Sequence, residues 1–228
     1  MAILASDILG RVRTQLIDPT GVRWTDAELC LWLADGCRSI TAAVPSATAT
    51  LATLPLVAGT LQSIPANGHM LLDITRNVDS TGLTPGRAVR IIPRDSLDSF
   101  DPYWHQSQPS PYVSNYVFDP QVPDTFYVYP PNNGQGYLEI KYALATSDFT
   151  TTTTEIPFWD IYQTPLYDYV MFRAMQKDSD FAAGQQLAAI YFNAFTSFIS
   201  SDDKSQLESN PNLAFAPFSP ETQGTAKA

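Results

Sequence analysis

The sequence predicts an α+β fold, in which an antiparallel helical bundle formed by the N- and C-terminal helices carries an inserted antiparallel β module. Two observations support this prediction. Apolar residues recur at helical spacing near both ends of the chain, whereas the middle alternates apolar and polar residues between proline and glycine turns. We therefore expect a discontinuous helical domain (1–45 and 155–210), an inserted β-rich domain (46–154) and an extended C-terminal tail (211–228).

The first 45 residues predict two helices. The first covers residues 4–17 and ends at Asp18-Pro19. Its apolar positions are Leu4, Ile8, Val12 and Leu16. Thr25 and Glu28 have the spacing of a capping box, in which each side chain can satisfy a backbone amide at the start of the second helix. Pro45 ends that second helix.

The middle of the chain predicts short strands joined by turns. Residues 46–65 indicate two strands around a turn at Ala58-Gly59. Further strands are expected at His69–Val78, Arg87–Ile92, Tyr112–Phe118, Thr125–Tyr129 and Gly136–Leu144, with a short helical turn at Pro93–Phe100 and a Pro-Pro-Asn-Asn-Gly turn at 130–134. Gly82–Arg87 looks superficially like a phosphate-binding loop, but its spacing is wrong and arginine replaces the Lys-Ser/Thr pair, so we expect a hairpin turn.

Helical periodicity returns after the threonine-rich linker at 150–154. One helix is expected to begin near Asp160 or at Thr164. Asp180 can cap a last helix, which is expected to fray through Ser200–Asn210. The apolar residues of this last helix are Leu187, Ile190, Tyr191, Ala194, Phe198 and Ile199. The residues after it show no periodicity, so we expect an extended tail.

Composition argues against nucleic-acid recognition and membrane insertion. Aspartate and glutamate outnumber lysine and arginine by 23 to 13, for a net charge of −10, and no basic run exists to clamp phosphates. No apolar run is long enough to cross a bilayer, and the start, MAILASDILGRVR, lacks the basic region of a signal peptide. Only 16% of residues are charged, which leaves a neutral polar surface that suits burial in an assembly.

Candidate reactive side chains are few. Cys30 and Cys37 are seven residues apart on one predicted helix, roughly 10.5 Å along its axis, which is too far for a disulfide, so we expect two reduced, buried thiols. The only histidines are His69 and His105, and no zinc-binding spacing accompanies them, so we expect no metal and no cofactor. His105 lies beside Trp104 and near two aspartates, Asp98 and Asp101, which makes acid–base chemistry conceivable. Without a nucleophile or partner motif, packing or assembly is the favoured role.

Aromatic residues cluster on the predicted strands. They are Tyr112, Tyr116, Phe118, Phe126, Tyr127, Tyr129, Tyr137 and Tyr142. Such a cluster could stack nucleobases, but no basic residues are interleaved with it. Cross-strand pairing and core packing are therefore the favoured interpretation.

Several segments, taken in their order along the chain, carry a family resemblance. They are RWTDAEL (23–29), WLADG (32–36), GRAVR (86–90), YWH (103–105), YVFD (116–119), FYVYPP (126–131), DIY (160–162), LYDYV (166–170) and RAMQKD (173–178). Together, over residues 4–200, they resemble head-to-tail adaptor proteins of tailed phages, similar to the tail-tubular-A-like proteins. The resemblance implies a structural virion protein, made in the host cytoplasm, that forms a ring, usually dodecameric, below the portal. It also implies that the ring extends the DNA channel and docks tail or nozzle proteins, without enzymatic activity or a cofactor.

Two hypotheses follow for such an adaptor. Twelve copies at −10 each would carry a charge of about −120, so an acidic channel wall would let DNA slide without sticking. Phe215 and Phe218 stand between prolines in the polar tail, and we expect them to anchor the tail to a neighbouring subunit or to the portal.

Other functions remain open at this stage. Another virion ring protein, such as a tail-completion or gatekeeper protein, would fit the same composition. From a different class, a carbohydrate-binding β module on a helical stalk is suggested by the exposed-looking Tyr103 and Trp104. An enzyme such as a small lysin has the weakest support, because no catalytic motif is present.

Overall fold

The computed structural model describes residues 3–177 and 182–208, and it shows an α+β fold, as the sequence predicts. Two long helices precede most of the strands and two follow them. The helices are α1 (Ala5–Leu16), α2 (Asp26–Ala43), α3 (Arg94–Phe100), α4 (Gln163–Lys177) and α5 (Ala182–Glu208). The strands are β1 (Ile3–Leu4), β2 (Ala49–Pro55), β3 (Ala58–Ser63), β4 (Gly68–Val78), β5 (Pro85–Ala88), β6 (Arg90–Ile91), β7 (Asn115–Phe118), β8 (Thr125–Asn133), β9 (Tyr137–Leu144) and β10 (Glu155–Ile156).

One hydrophobic core joins the helices from both ends of the chain. Lys177 at the end of α4 donates to Glu28 at the start of α2 at 2.7 Å, and Tyr169 in the middle of α4 lies against Gly36 in the middle of α2. These two helices are therefore antiparallel. The buried residues of this core include Ile8, Leu9 and Val12 of α1, Leu29, Leu33, Cys37 and Ile40 of α2, Leu166, Val170 and Met171 of α4, and Phe195 of α5.

Two four-stranded sheets pack face to face around a second core. The first sheet has the order β2-β9-β4-β5 and the second β3-β8-β7-β6. Neighbouring strands in them are antiparallel, except that β6 and β7 are parallel. The shared core contains Leu54, Leu71, Ile74, Leu138 and Ile140 from the first sheet and Tyr116, Phe126 and Val128 from the second. This is a β sandwich, in which buried residues alternate with less buried ones along much of β8 and β9.

A small third core covers the outer face of the second sheet. Leu97 of α3 and the Trp104 indole pack on Val117, with Tyr127 and Tyr129 beside them. Successive strand residues point to opposite faces, so the tyrosines of β8 face α3 while Phe126 and Val128 face the sandwich.

The chain enters and leaves the sandwich at neighbouring points. β2 and β9 pair along their whole length, from Ala49 opposite Ala143 to Pro55 opposite Tyr137. Just before β2, the Thr48 hydroxyl donates to the Leu144 carbonyl at 3.2 Å. β1 pairs with β10, which brings the start of the chain to the point where the helical half resumes. The division into domains at 45/46 and 154/155 remains a prediction.

The two strands expected at 46–65 exist but do not form a hairpin. The break falls at Leu56-Val57 instead of Ala58-Gly59, and β2 and β3 belong to different sheets. The buried Gln62 side chain holds this crossing, since it accepts from the Val57 amide at 2.8 Å and donates to the Val57 carbonyl at 2.9 Å. The turn prediction was wrong because the chain changes sheet there instead of reversing within one.

A second change of sheet divides the strand expected at Arg87–Ile92. β5 pairs with β4 in the first sheet, whereas β6 pairs with β7 in the second. Val89 lies between the two strands and is buried in the sandwich core, but Ile91 is exposed. The alternation of apolar residues was therefore misleading at this point.

Strand β8 is longer than expected, because the segment Pro130–Asn133, predicted as a turn, continues it. The reversal comes at Gly134, which has a positive φ of 84°. The buried Asn132 side chain holds the reversal: its oxygen accepts from the amides of Gly134 and Gly136 at 2.8 and 3.2 Å.

The helix ends also differ from the sequence expectations. α5 continues to Glu208 instead of fraying from Ser200. Thr25 caps α2 by accepting from the Glu28 amide at 3.3 Å, but the Glu28 carboxylate binds Lys177, so only half of the expected capping box is seen. Asp180 lies outside the described residues. None of the helices in the described ranges is both long and apolar enough to cross a membrane.

Candidate assembly surfaces

His105, the candidate acid–base residue, is held by packing contacts. Its ring stacks on Trp104 with 3.6 Å between ring centroids, and its Nδ1 lies 2.9 Å from the Thr60 hydroxyl. The two nearby aspartates have other partners: Asp98 accepts from the Trp104 indole at 2.8 Å, and Asp101 accepts from Ser107 at 2.9 Å. These contacts favour a packing role for the histidine.

Trp104 is 1% exposed, which corrects the expectation that it stands with Tyr103 on an open loop. Its indole fills the third core, while Tyr103 is exposed. A sugar-binding aromatic must offer an accessible ring face for stacking. The buried Trp104 indole therefore no longer supports the carbohydrate-binding hypothesis.

Cys30 and Cys37 are buried, free thiols on α2, as expected. Burial raises the pKa of Cys30, and it raises the pKa of Cys37 to about 12. Both thiols therefore stay protonated at neutral pH and are poor nucleophiles. Within residues 3–177 and 182–208, no group of three or more His, Cys, Asp and Glu side chains is placed to hold a metal ion.

The aromatic cluster on the strands is mostly part of the folded cores. Tyr116, Phe126 and Tyr142 are buried in the sandwich, and Tyr127 and Tyr129 pack edge-on against Trp104. Burial, together with the nearby Asp73 that accepts from its hydroxyl at 3.2 Å, raises the pKa of Tyr116 to about 12. These positions support core packing over base stacking, and among them Tyr112 is the exposed exception.

The glycine-containing segment at 82–87 belongs to a tight turn between β4 and β5. The Asp79 carboxylate accepts from the hydroxyls of Thr81 and Thr84, each at 2.8 Å, and from the Leu83 amide. These hydroxyl and amide hydrogen bonds lower the pKa of Asp79 to about 2. A phosphate loop needs free backbone amides, and here a carboxylate already binds them.

Two exposed arginines lie at the edges of the sandwich. The net negative charge of the chain gave no indication of this feature. Arg87 is on β5 and Arg90 on β6, each at the end of its sheet. No ion pair joins either of them to another residue of the described ranges. Charged side chains on edge strands oppose unwanted strand pairing, so we interpret them as edge protection.

Helix α5 presents large apolar side chains to solvent. Leu187 is 44% exposed, Ile190 61% and Phe192 41%, although the sequence placed the first two on the apolar face of this helix. Exposed apolar residues also lie at a helix end and in the connections: Ile17 and Val22 between α1 and α2, Phe100 at the end of α3 and Tyr103 just after it, and Trp159 and Ile161 before α4. Phe215 and Phe218, the predicted docking residues of the tail, lie outside the described residues.

The exposed apolar side chains are the surface feature that points most directly to a function. Large apolar side chains that stay exposed on folded elements mark surfaces for protein contact. The histidine and cysteines that could carry chemistry are held in packing or buried positions. The exposed apolar side chains on α5 favour a protein that acts by contact with others.

Comparison with known protein families matches residues 3–215 to the SU10 adaptor protein family. The chain therefore belongs to this family of phage head-to-tail adaptors, and the resemblance seen in the sequence is confirmed. It is a phage adaptor protein and a component of the virion. A search of curated proteins gave no match.

Proposed function

We propose that the chain assembles into a ring of about twelve copies between the portal and the tail, extends the DNA channel and docks tail or nozzle proteins. The observation that carries this proposal is the family match over residues 3–215. The exposed apolar residues on α5 and in the connections support it, because a closed ring needs a contact surface on each side of every subunit.

Mass photometry and electron microscopy of the purified full chain, alone and with its portal protein, test this proposal. We expect rings with a central opening that bind to the portal. A chain that stays monomeric under both conditions would contradict the proposal. Imaging of the portal vertex in intact particles would then give the subunit number directly.

We further propose that the channel wall of this ring is acidic. The support is the net charge of −10 per chain, which a ring multiplies into a strong negative field. Like charge on the wall and on DNA would keep the DNA from adhering during passage. A ring structure whose lumen is lined mainly by lysine and arginine would refute this part of the proposal.

The tail beyond residue 210 is proposed to dock through Phe215 and Phe218 on a neighbouring subunit or on the portal. We expect a chain truncated after Asn210 to assemble poorly on the portal, because the two aromatic anchors are removed. The full-length double variant Phe215→Ala/Phe218→Ala keeps the tail length and should show the same loss. An unchanged yield of complete particles from either variant would count against tail docking.

A further inference from the structure

The apolar surface of helix α5 is wider than its packing on α4 requires. At 100° per residue, Ile190 and Phe192 lie roughly 200° apart around the helix axis. The apolar residues of the arc between them are Leu187, Ala188, Tyr191, Ala194, Phe195, Phe198 and Ile199. A helix that packs against one neighbour typically needs an apolar stripe of about 100°. The arc on α5 is therefore wide enough for a second partner.

The contacts of α5 show which part of the arc is occupied. Tyr191 packs edge-on against Tyr167 of α4, Phe195 against Tyr169, and Phe198 against Tyr162 in the turn before α4. The remaining exposed apolar side of the arc is formed by Leu187, Ile190 and Ala194, and we call it the α5 stripe. It follows the spacing i, i+3, i+7 and so forms one continuous line along the helix.

The first 20 residues of α5 differ from the other helices in charge. The sequence has no Asp, Glu, Lys or Arg from residue 182 to residue 201, whereas each of α1, α2, α3 and α4 carries at least three. The outward side of α5 next to the stripe is also neutral, with Gln186, Asn193 and Ser197 exposed. At 27 residues, α5 is about 40 Å long, against about 22 Å for the 15 residues of α4.

We propose that the α5 stripe packs against a second copy of this chain and forms part of the contact between neighbouring subunits, an inference that rests on the proposed ring. Two copies with a net charge of −10 each repel one another, so they approach best where neither carries charge. A neutral face with a line of apolar side chains meets this requirement. A returning tail segment of the same chain would cover a single line, whereas the whole stretch of α5 from residue 182 to residue 201 is uncharged.

Substitutions on the stripe test this contact in the full-length protein. We expect Ile190→Asp to weaken self-association by about tenfold or more, because it places a charge where apolar surfaces meet. Ile190→Gln keeps the helix neutral and should weaken it less. Leu83→Asp is the control: it changes another exposed apolar residue, in the turn between β4 and β5, and should leave assembly unchanged. Mass photometry gives the oligomer distribution, and circular dichroism shows that each variant is folded.

The outcomes separate this contact from the ring itself. If the unsubstituted chain forms rings and the two Ile190 variants form them equally well, the α5 contact is overturned and the ring proposal stands. If the unsubstituted chain stays monomeric alone and with the portal, both proposals fail. Loss of assembly in Ile190→Asp but also in Leu83→Asp would likewise overturn the contact, since the effect would not depend on α5.

Discussion

A single carboxylate holds the connection between the first two helices. The Asp18 side chain accepts from the backbone amides of Val22, Arg23 and Trp24 at 2.9, 3.0 and 3.0 Å. These hydrogen bonds, that from Trp24 first, lower the pKa of Asp18 below its usual value. The ionised carboxylate thus satisfies three backbone donors that a loop without it would leave to solvent.

We expect Asp18→Asn to lower the melting temperature at neutral pH, because the amide replaces one acceptor oxygen with a donor that faces backbone N–H groups. The difference in melting temperature between Asp18→Asn and the unsubstituted protein should shrink as the pH falls below about 4. A group with a depressed pKa in the folded state stabilises the fold above its unfolded pKa and loses that contribution as the pH falls through its folded pKa.

Thermal unfolding followed by circular dichroism from neutral to acidic pH measures this difference. Asp95→Asn is the control, since Asp95 is exposed in the first turn of α3. A deficit for Asp18→Asn that stays constant down to low pH would contradict the role of the ionised carboxylate.

At the scale of single residues, the sequence predicted interactions between residues close together in the chain and missed interactions between distant residues. Thr25 caps α2 as expected, because its acceptor function needs only the amide three residues later. Glu28 instead meets Lys177, which is 149 residues away in the chain. No local pattern contains that contact, so the capping box was overpredicted.

At the scale of the element, two glycines in the first two helices have opposite surroundings. A Cβ atom at Gly36 would lie 3.0 Å from Tyr169 Cδ1, because α2 and α4 approach closely there. A Cβ atom at Gly10 on α1 would meet nothing within 4 Å. The same substitution therefore tests helix propensity at one position and close packing at the other.

We expect Gly10→Ala to stabilise the protein by roughly 0.5–1 kcal/mol, the gain of replacing glycine within a helix. Gly36→Ala has the same gain but adds overpacking worth about 1–3 kcal/mol, so the net effect should be destabilising. Urea unfolding at one fixed protein concentration measures both changes. Stabilisation of Gly36→Ala equal to that of Gly10→Ala would show that the helices separate easily.

The strands show a similar limit of sequence reasoning. Alternation located β9 and the first part of β8 closely, because buried and less buried residues alternate along them, and an apolar run located β4. It did not reveal that β2 and β3, or β5 and β6, belong to different sheets. The crossing between β2 and β3 depends on the Gln62 side chain, whose burial is set by tertiary structure. The exposed stripe on α5 could have been found, since the breadth of its apolar arc is visible in the sequence.

For the whole molecule, the acidic balance makes assembly depend on salt. Each chain carries −10, and the proposed contact on α5 has no charged residue of its own. Raising the ionic strength from about 0.05 M to about 0.5 M should therefore strengthen self-association, because salt screens the repulsion and strengthens apolar contacts. Mass photometry across this range is the measurement. Rings that dissociate as salt rises would show that ion pairs, and not a neutral face, join the subunits.

The chain enters the sandwich at β2 and leaves it at β9, and these two strands lie side by side. This arrangement has a consequence for how such adaptors diversify. Both connections to the bundle lie at one end of the sandwich, where Thr48 meets Leu144. Insertions or deletions in the turn at Asp79–Thr84, which joins β4 to β5, leave those connections unchanged. That turn can therefore change in length and sequence while the helices retain their packing, so variation of the turn and folding of the subunit become separate problems for selection.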